Sequence, residues 1–271
     1  SGWMTFYCTN ALCGVQCAPA AAAPCPASRS CAMLVPFELQ AFLAQPAVKL
    51  RHTLISIPTA GVWLEGVLAH APDVRGLALI PESDFYRPPR IDDSRHARDL
   101  QAAGFATISL NLLTRHEAAR DPDAGYNVAR LTRRLLDTIE WCQHQPALAP
   151  QSLGIVAAGT GCAAAVRAAV AQPERIAAIV CIAGRADLAG GVPLRALTTP
   201  IRFIVAADDP QATICRSAFE LIARTLRDWV EVHQDTPGRP PGVHAAAAAQ
   251  WLQRHLPPPR PPQPEVEAVR A

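Results

Sequence analysis

The sequence is poor in lysine and in net charge. Lys49 is the single lysine among 271 residues, and 25 basic and 23 acidic residues leave a formal net charge of +2. Proteins that bind nucleic acid neutralise phosphates with clustered positive charge, so nucleic acid is not expected as a partner. The excess of arginine over lysine is typical of high-GC bacterial coding and predicts no chemistry.

Long hydrophobic runs are also absent. No apolar stretch reaches the roughly 18 residues that a transmembrane helix requires, so neither a membrane span nor a membrane partner is expected. The first residues lack the basic and then apolar regions of a secretory signal peptide. These absences predict a cytoplasmic protein. Hydrophobic residues make up 50% of the chain, which is enough for a sizeable core.

The cysteines lack the pattern of a disulfide framework. There are nine, and an odd number in a chain of this length favours free thiols. Five lie near the N-terminus without a CxxC pair, so a zinc site there is a minor alternative; they are Cys8, Cys13, Cys17, Cys25 and Cys31. The other four lie in apolar surroundings and are interpreted as buried small residues. We predict no metal and no cofactor.

Composition divides the chain into three parts. Residues 1–44 are rich in cysteine, alanine and proline, and predict a flexible N-terminal segment. Residues 45–256 predict one α/β domain. Residues 257–271 form a proline-rich tail, for which a solvated polyproline-like conformation is expected.

The central part alternates strand and helix patterns. Strands are predicted at Lys49–Ile57, Val62–Ala69, Gly76–Ile80, Ala106–Leu110, Leu153–Ala157, Ile176–Ile182, Ile201–Ala206 and Val230–Val232. Helices are predicted at Ser94–Ala103, Asn127–Gln145, Cys162–Ala171, Ala218–Arg227 and Val243–His255. This order predicts a doubly wound, mostly parallel sheet that opens with an antiparallel hairpin. The ligand cleft of such a sheet lies beyond the carboxyl ends of its strands.

Four segments carry a resemblance to a known family. They are the hairpin Gly61–Gly66, the strand–turn–helix at Leu153–Ala171, the run Gly184–Ala189, and the acidic pair Asp208–Asp209 after a later strand. Together, over about residues 50–256, the sequence resembles the dienelactone-hydrolase-like branch of the α/β-hydrolases. The resemblance implies the α/β-hydrolase fold and a strained turn, the nucleophile elbow, that presents an attacking side chain.

The elbow, Ala157–Gly161, departs from the family at its apex. The small flanking residues Ala157 and Gly161 are present, but the nucleophile position is Gly159, which has no side chain. Glycine also relieves the strain of about 1–3 kcal/mol that a serine would carry there. The sequence therefore predicts an elbow that keeps its architecture and lacks its nucleophile.

Two further loops depart from the catalytic pattern. The loop that would supply an oxyanion-hole amide begins with Pro81, which has no N–H, and continues through Glu82, Ser83 and Asp84. The two carboxylates place negative charge where a developing oxyanion needs donors. The loop expected to carry the triad histidine, residues 234–241, contains none.

Several residues remain as members of a vestigial or alternative site. His233 and His244 flank the loop without histidine, and each is a candidate base only if that loop is remodelled. Asp209 matches the family's acid, but Asp208 is an alternative, and a turn or capping role is favoured for either. Arg185 and Asp187 are interpreted as a pair that braces the loop over the cleft, with anion binding by Arg185 as the alternative.

Cys162 and Thr160 are the candidate substitute nucleophiles at the elbow. Cys162 lies in the first turn of the following helix, where a thiol pKa is lowered, but packing between helix and sheet is favoured. Thr160 is expected to point its side chain away from the cleft, while its N–H keeps the family's second oxyanion donor. A metal site from Asp84, Asp92, Asp93 and His96 is a weaker alternative, because helix capping explains Asp92.

The leading hypothesis is a dienelactone-hydrolase-like protein that has lost its serine–histidine apparatus. It would act as a binding or assembly component, with a small-molecule ligand in the vestigial cleft, a protein partner, or a second copy of the chain. The alternative is an active hydrolase of a small ester or lactone with Cys162 as relocated nucleophile. A third hypothesis is a protein recruited to a partner by its cysteine-rich N-terminal segment.

Overall fold

The computed structural model describes residues 50–59, 61–83, 95–232 and 243–257. Within them, eight strands form one sheet in the order β1-β2-β4-β3-β5-β6-β7-β8. The strands are β1 Arg51–Thr59, β2 Val62–His70, β3 Leu77–Glu82, β4 Ala106–Asn111, β5 Leu153–Gly159, β6 Ile176–Gly184, β7 Ile201–Ala206 and β8 Arg227–Val232. β2 pairs antiparallel with β1 and β4, and the other pairs are parallel. The predicted sheet with an antiparallel N-terminal hairpin is confirmed.

Seven α-helices connect or follow the strands in these ranges. They are α1 Arg95–Ala102, α2 Arg115–Arg120, α3 Val128–Gln143, α4 Gly161–Ala171, α5 Gly191–Ala196, α6 Ala212–Leu221 and α7 Val243–His255. The predicted helix Ala218–Arg227 is wrong, because the helix ends at Leu221 and Arg227 already begins β8. The short helices α2 and α5 were not predicted.

Helices cover both faces of the sheet and bury two apolar clusters. On one face, α3, α4 and α6 pack on the strands, and the alanines at 163–165 of α4 are fully buried. On the other face, α1 and α7 pack through residues such as Leu100 and Leu252. The small side chains of α4 allow the helix to approach β5 and β6 closely.

One arginine of α3 contradicts the expected polar face. The predicted apolar stripe from Val128 to Cys142 is buried, but Arg134, expected off that stripe, is only 6% exposed. Its guanidinium donates to both carboxylate oxygens of Glu117 at 2.7 and 2.8 Å and to the carbonyl of Leu112 at 2.7 Å. The β4–α3 connection folds over Arg134 and supplies a charged partner that the pattern of α3 alone does not reveal.

None of the helices in the described ranges has both the length and the apolarity needed to cross a membrane. The predictions for residues 1–44 and for the tail beyond Pro257 lie outside these ranges.

Candidate functional site

Strand β5 ends in a left-handed residue at the carboxyl edge of the sheet. Gly159 has a φ of +51°, and α4 begins at Gly161 directly after Thr160. A residue with a side chain is strained in this conformation, whereas glycine adopts it freely. The predicted strand, turn and helix are present, and the positive φ falls at the predicted nucleophile position.

Close packing surrounds the turn. A Cβ on Gly161 would lie 3.2 Å from Ser83 Oγ and 3.4 Å from the carbonyl oxygen of Pro81. Thr160 Oγ1 donates a hydrogen bond of 3.0 Å to Ser83 Oγ, and both side chains are buried. This hydroxyl pair, which sequence reasoning missed because its members are 77 positions apart, connects the elbow to the end of β3.

The thiol of Cys162 lies inside the protein. Its side chain is fully buried, and Sγ donates to the carbonyl oxygen of Ala157 at 3.3 Å. A Cβ on Gly184 would lie 2.0 Å from the same sulfur. Cys162 therefore fills the space that a side chain at position 184 would need, and it packs α4 against the ends of β5 and β6.

A second buried thiol also contacts Gly184. Cys215 Sγ donates to the carbonyl oxygen of Gly184 at 3.3 Å. Burial, reinforced by the charge of Asp209, raises the pKa of the Cys215 thiol to about 11. The thiol is therefore protonated at neutral pH. As predicted, the four cysteines of the domain are free and buried: Cys142, Cys162, Cys181 and Cys215.

Arg185 forms an ion pair beside the elbow. Its Nε and Nη2 donate to the two carboxylate oxygens of Asp187 at 2.9 and 2.8 Å, and its backbone N–H donates to the carbonyl of Gly159 at 2.9 Å. The hydrogen bonds that Arg185 donates to the Asp187 carboxylate raise the pKa of Arg185.

Asp209 has the geometry of a turn carboxylate. Its Oδ1 accepts a hydrogen bond of 2.8 Å from the backbone N–H of Gln211, just before α6, and Asp208 is exposed. Within the described ranges, no histidine donates to Asp209. The carboxylate therefore stabilises the start of α6, in line with the turn role favoured from the sequence.

The structure describes only some of the remaining candidate site residues. His233 and Asp84 lie outside the described residues, as do Asp92 and Asp93 of the weaker metal hypothesis. His244 is half-buried near the start of α7, and burial lowers its pKa, which favours the neutral imidazole.

At the end of β3, Glu82 is half-buried, and its carbonyl accepts a hydrogen bond from the N–H of Leu112 at 2.8 Å. In the ranges that the structure covers, no three histidine, cysteine, aspartate or glutamate side chains are grouped to hold a metal ion.

Solved structures of hydrolases are similar to this fold. Dienelactone hydrolase from Anabaena variabilis is 28% identical, with a TM-score of 0.67, over 76% of this chain and 99% of that one. A cold-adapted esterase from an Arctic intertidal metagenomic library is 12% identical, with a TM-score of 0.61, over 78% of this chain and 97% of that one. The esterase shows likeness of fold alone.

Two curated proteins that are similar to this chain are not named as hydrolases. Proteins of two Mycobacterium tuberculosis strains, each named "putative phosphoribosyl transferase", are 30% identical over 160 residues, or 59% of this chain. The match spans 36% of their length, so this chain corresponds to about a third of those proteins. No family model matches the sequence.

Proposed function

We propose that this chain, which has the α/β-hydrolase fold and resembles dienelactone hydrolase, has a non-catalytic role as a binding or assembly component. The observation that carries the proposal is Gly159, a residue without a side chain at the left-handed apex of the elbow. Loss of a serine nucleophile can reduce kcat about 10⁶-fold in a serine protease. An intact turn without the attacking atom cannot form an acyl-enzyme there.

The groups around the elbow support the same proposal. The carboxylate of Asp187 holds the Arg185 guanidinium in a bidentate pair, and Asp209 accepts from a backbone N–H in a turn. In a working triad the acid would instead orient a histidine. These contacts stabilise loops at the carboxyl edge, and within the described residues neither of these two carboxylates accepts a hydrogen bond from a histidine.

An active hydrolase with Cys162 as nucleophile is the second candidate, and the geometry favours it less. The Cys162 thiol is fully buried, donates to the carbonyl oxygen of Ala157, and occupies the space that a Cβ on Gly184 would need. A substrate carbonyl would have to displace this packing to reach the sulfur. A helix N-terminus favours the thiolate, but nucleophilic attack also requires access.

The remaining parts of the proposal concern partners and location. A small molecule in the cleft, a protein partner or a second copy of the chain would each suit a binding component, and the cytoplasm is the expected location. The cysteine-rich segment of the third hypothesis lies outside the described residues. The activity named for the mycobacterial relatives is not extended to this chain, because the match covers 36% of them.

Labelling by a fluorophosphonate probe tests the proposal. We expect no serine of the purified protein to be labelled, and turnover of small esters and lactones no faster than in buffer. Strong labelling at one serine would overturn the proposal. Turnover that Cys162→Ala abolishes and the matched variant Cys215→Ala preserves would instead establish the relocated nucleophile, since both cysteines are buried beside Gly184.

A further inference from the structure

A cavity of about 350 Å³ lies at the end of the sheet opposite the elbow. It opens beside Leu77 and Leu153, the first residues of β3 and β5, and beside Ala177 near the start of β6. β5 is seven residues long, so the cavity lies about 20 Å from Gly159. Ligand sites in proteins begin at about 300 Å³, so the volume suits a small molecule.

The apolar side of the cavity is already formed. Ile139, Leu148 and Leu153 on its wall are each at most 7% exposed. The chain between α3 and β5 is fixed by backbone hydrogen bonds, including Leu148 N–H to Gln145 at 2.9 Å and Gln151 N–H to Leu148 at 2.9 Å. A ligand would therefore meet a surface that needs little ordering on binding.

Two polar groups on the wall define the ligand's chemistry. The Oε1 of Gln151 is buried without a hydrogen-bond partner, and a buried acceptor of this kind is costly to leave unpaired. The terminal amide torsion of glutamine is soft, so the amide of this lining residue is free to rotate when a donor enters the cavity. Arg175 at the rim is 52% exposed, and its Nε lies 3.9 Å from the carboxylate of Glu174, which also lines the cavity and is 68% exposed. This long ion pair uses one edge of the guanidinium, so an anion would bind the remaining donors in competition with Glu174.

Cys142 on the same wall adds no negative charge. Burial raises the pKa of its thiol to about 12, so the sulfur stays protonated and does not repel an anionic ligand. The cavity thus combines an apolar wall, one acceptor in need of a donor, and a rim where Arg175 lies beside the carboxylate of Glu174.

We propose that this cavity binds a small aromatic or alicyclic acid that carries an N–H or O–H donor. The ring body packs on Ile139, Leu148 and Leu153, the donor pairs with Gln151 Oε1, and the acid group pairs with Arg175. This site is separate from the elbow, and its function does not depend on whether the elbow is catalytic.

Two fluorescent probes distinguish the parts of the site. 1-Anilinonaphthalene-8-sulfonate has a ring body, one N–H and an anionic group, and N-phenyl-1-naphthylamine lacks only the sulfonate. We expect both to bind the full chain saturably at one site. Gln151→Leu should weaken both by about fivefold or more, since a net hydrogen bond is lost. Arg175→Gln should weaken the sulfonate probe alone.

Matched variants control for general effects. Gln172→Leu removes another amide with an unpartnered buried oxygen outside the cavity, and Arg224→Gln removes an exposed arginine elsewhere; neither should change binding. Leu148→Trp should fill the cavity and reduce both affinities at least tenfold.

Ala149→Trp should do the same from an exposed position on the cavity wall, where folding is less at risk. Binding of both probes that is unchanged in Ala149→Trp and Gln151→Leu would overturn the proposal. Equal weakening of both probes by Arg175→Gln would also overturn it.

Discussion

Two connections at the carboxyl edge of the sheet are held by different forces. The elbow is stabilised by backbone conformation and close packing. Gly159 takes a left-handed conformation, and the sulfur of Cys162 occupies the space beside Gly184 that a Cβ there would need. The connection between β4 and α3 is held by charge. There, the Glu117 carboxylate accepts from the buried Arg134, and it closes a capping box with Thr114.

This difference determines which substitutions each connection tolerates. The elbow does not depend on a side chain at its apex, because the turn is made by the backbone conformation of Gly159 and by small-residue packing. A buried ion pair fails when one partner is removed, because the other is left as an uncompensated charge. Substitutions that add side-chain volume should therefore destabilise the elbow. Removal of a charge, or a fall in pH, should destabilise the β4–α3 connection.

The largest expected effect is on the charged connection. Glu117→Gln should lower the free energy of unfolding by about 3 kcal/mol, because Arg134 is then buried without a carboxylate. Urea denaturation monitored by circular dichroism measures this change. As a control, Asp137→Asn removes the pair with Arg133, whose side chain is 71% exposed where that of Arg134 is 7% exposed, and should cost less than about 1 kcal/mol. Equal losses in the two variants would contradict the assignment.

The same carboxylate predicts how stability depends on pH. The Arg134 hydrogen bonds lower the pKa of Glu117 from 4.5 to about 2 in the folded protein. Its contribution is therefore complete above pH 4.5 and is lost as the pH falls toward 2. The stability difference between wild type and Glu117→Gln should shrink across this window. A difference that stays constant down to pH 2 would show that the carboxylate is not the responsible group.

At the elbow, Gly184→Ala should cost about 2–3 kcal/mol, because the new Cβ would lie 2.0 Å from the Cys162 sulfur. Combining it with Cys162→Ala removes that sulfur, so the double variant should lose less than the sum of the two single losses. A double-mutant cycle by thermal or urea unfolding measures this coupling. If the two losses of unfolding free energy simply add, the side chains at positions 162 and 184 do not compete for the same space.

A smaller effect is expected at the apex. Gly159→Ala should cost about 1–2 kcal/mol for the left-handed conformation. Gly61→Ala is the matched control, because Gly61 also has a positive φ and a Cβ there would meet nothing within 4 Å. A similar loss in both variants supports a purely conformational requirement at Gly159. No loss at Gly159 would mean that the turn is not left-handed.

Local patterns in the sequence were sufficient to predict the strands of the sheet and the turn at the elbow. Near-continuous apolar runs such as Ile201–Ala206 identify buried parallel strands, and the small residues around Gly159 identify the turn. Features set by distant partners could not be found in this way. Arg134 lies on the polar side of its helix pattern, and only Glu117, 17 positions away, explains its burial.

The misplaced helix has a similar cause. Residues 218–227 carry helix-forming types, but the helix spans Ala212–Leu221, and a turn then leads into the strand from Arg227 to Val232, which pairs with β7 at the edge of the sheet. Tertiary pairing overrides local propensity there. The Thr160–Ser83 hydroxyl pair and the contact of Cys162 with Gly184 likewise depend on which strand ends meet.

A crystal structure of the full chain, read at the space above Gly159, tests the central claim most directly. The account predicts a positive φ at Gly159, and no hydroxyl, thiol or imidazole arranged as a catalytic set within about 4 Å of that space. A hydroxyl or thiol at this position, hydrogen-bonded to His233 or His244 with Asp209 behind it, would contradict the account and identify a working hydrolase.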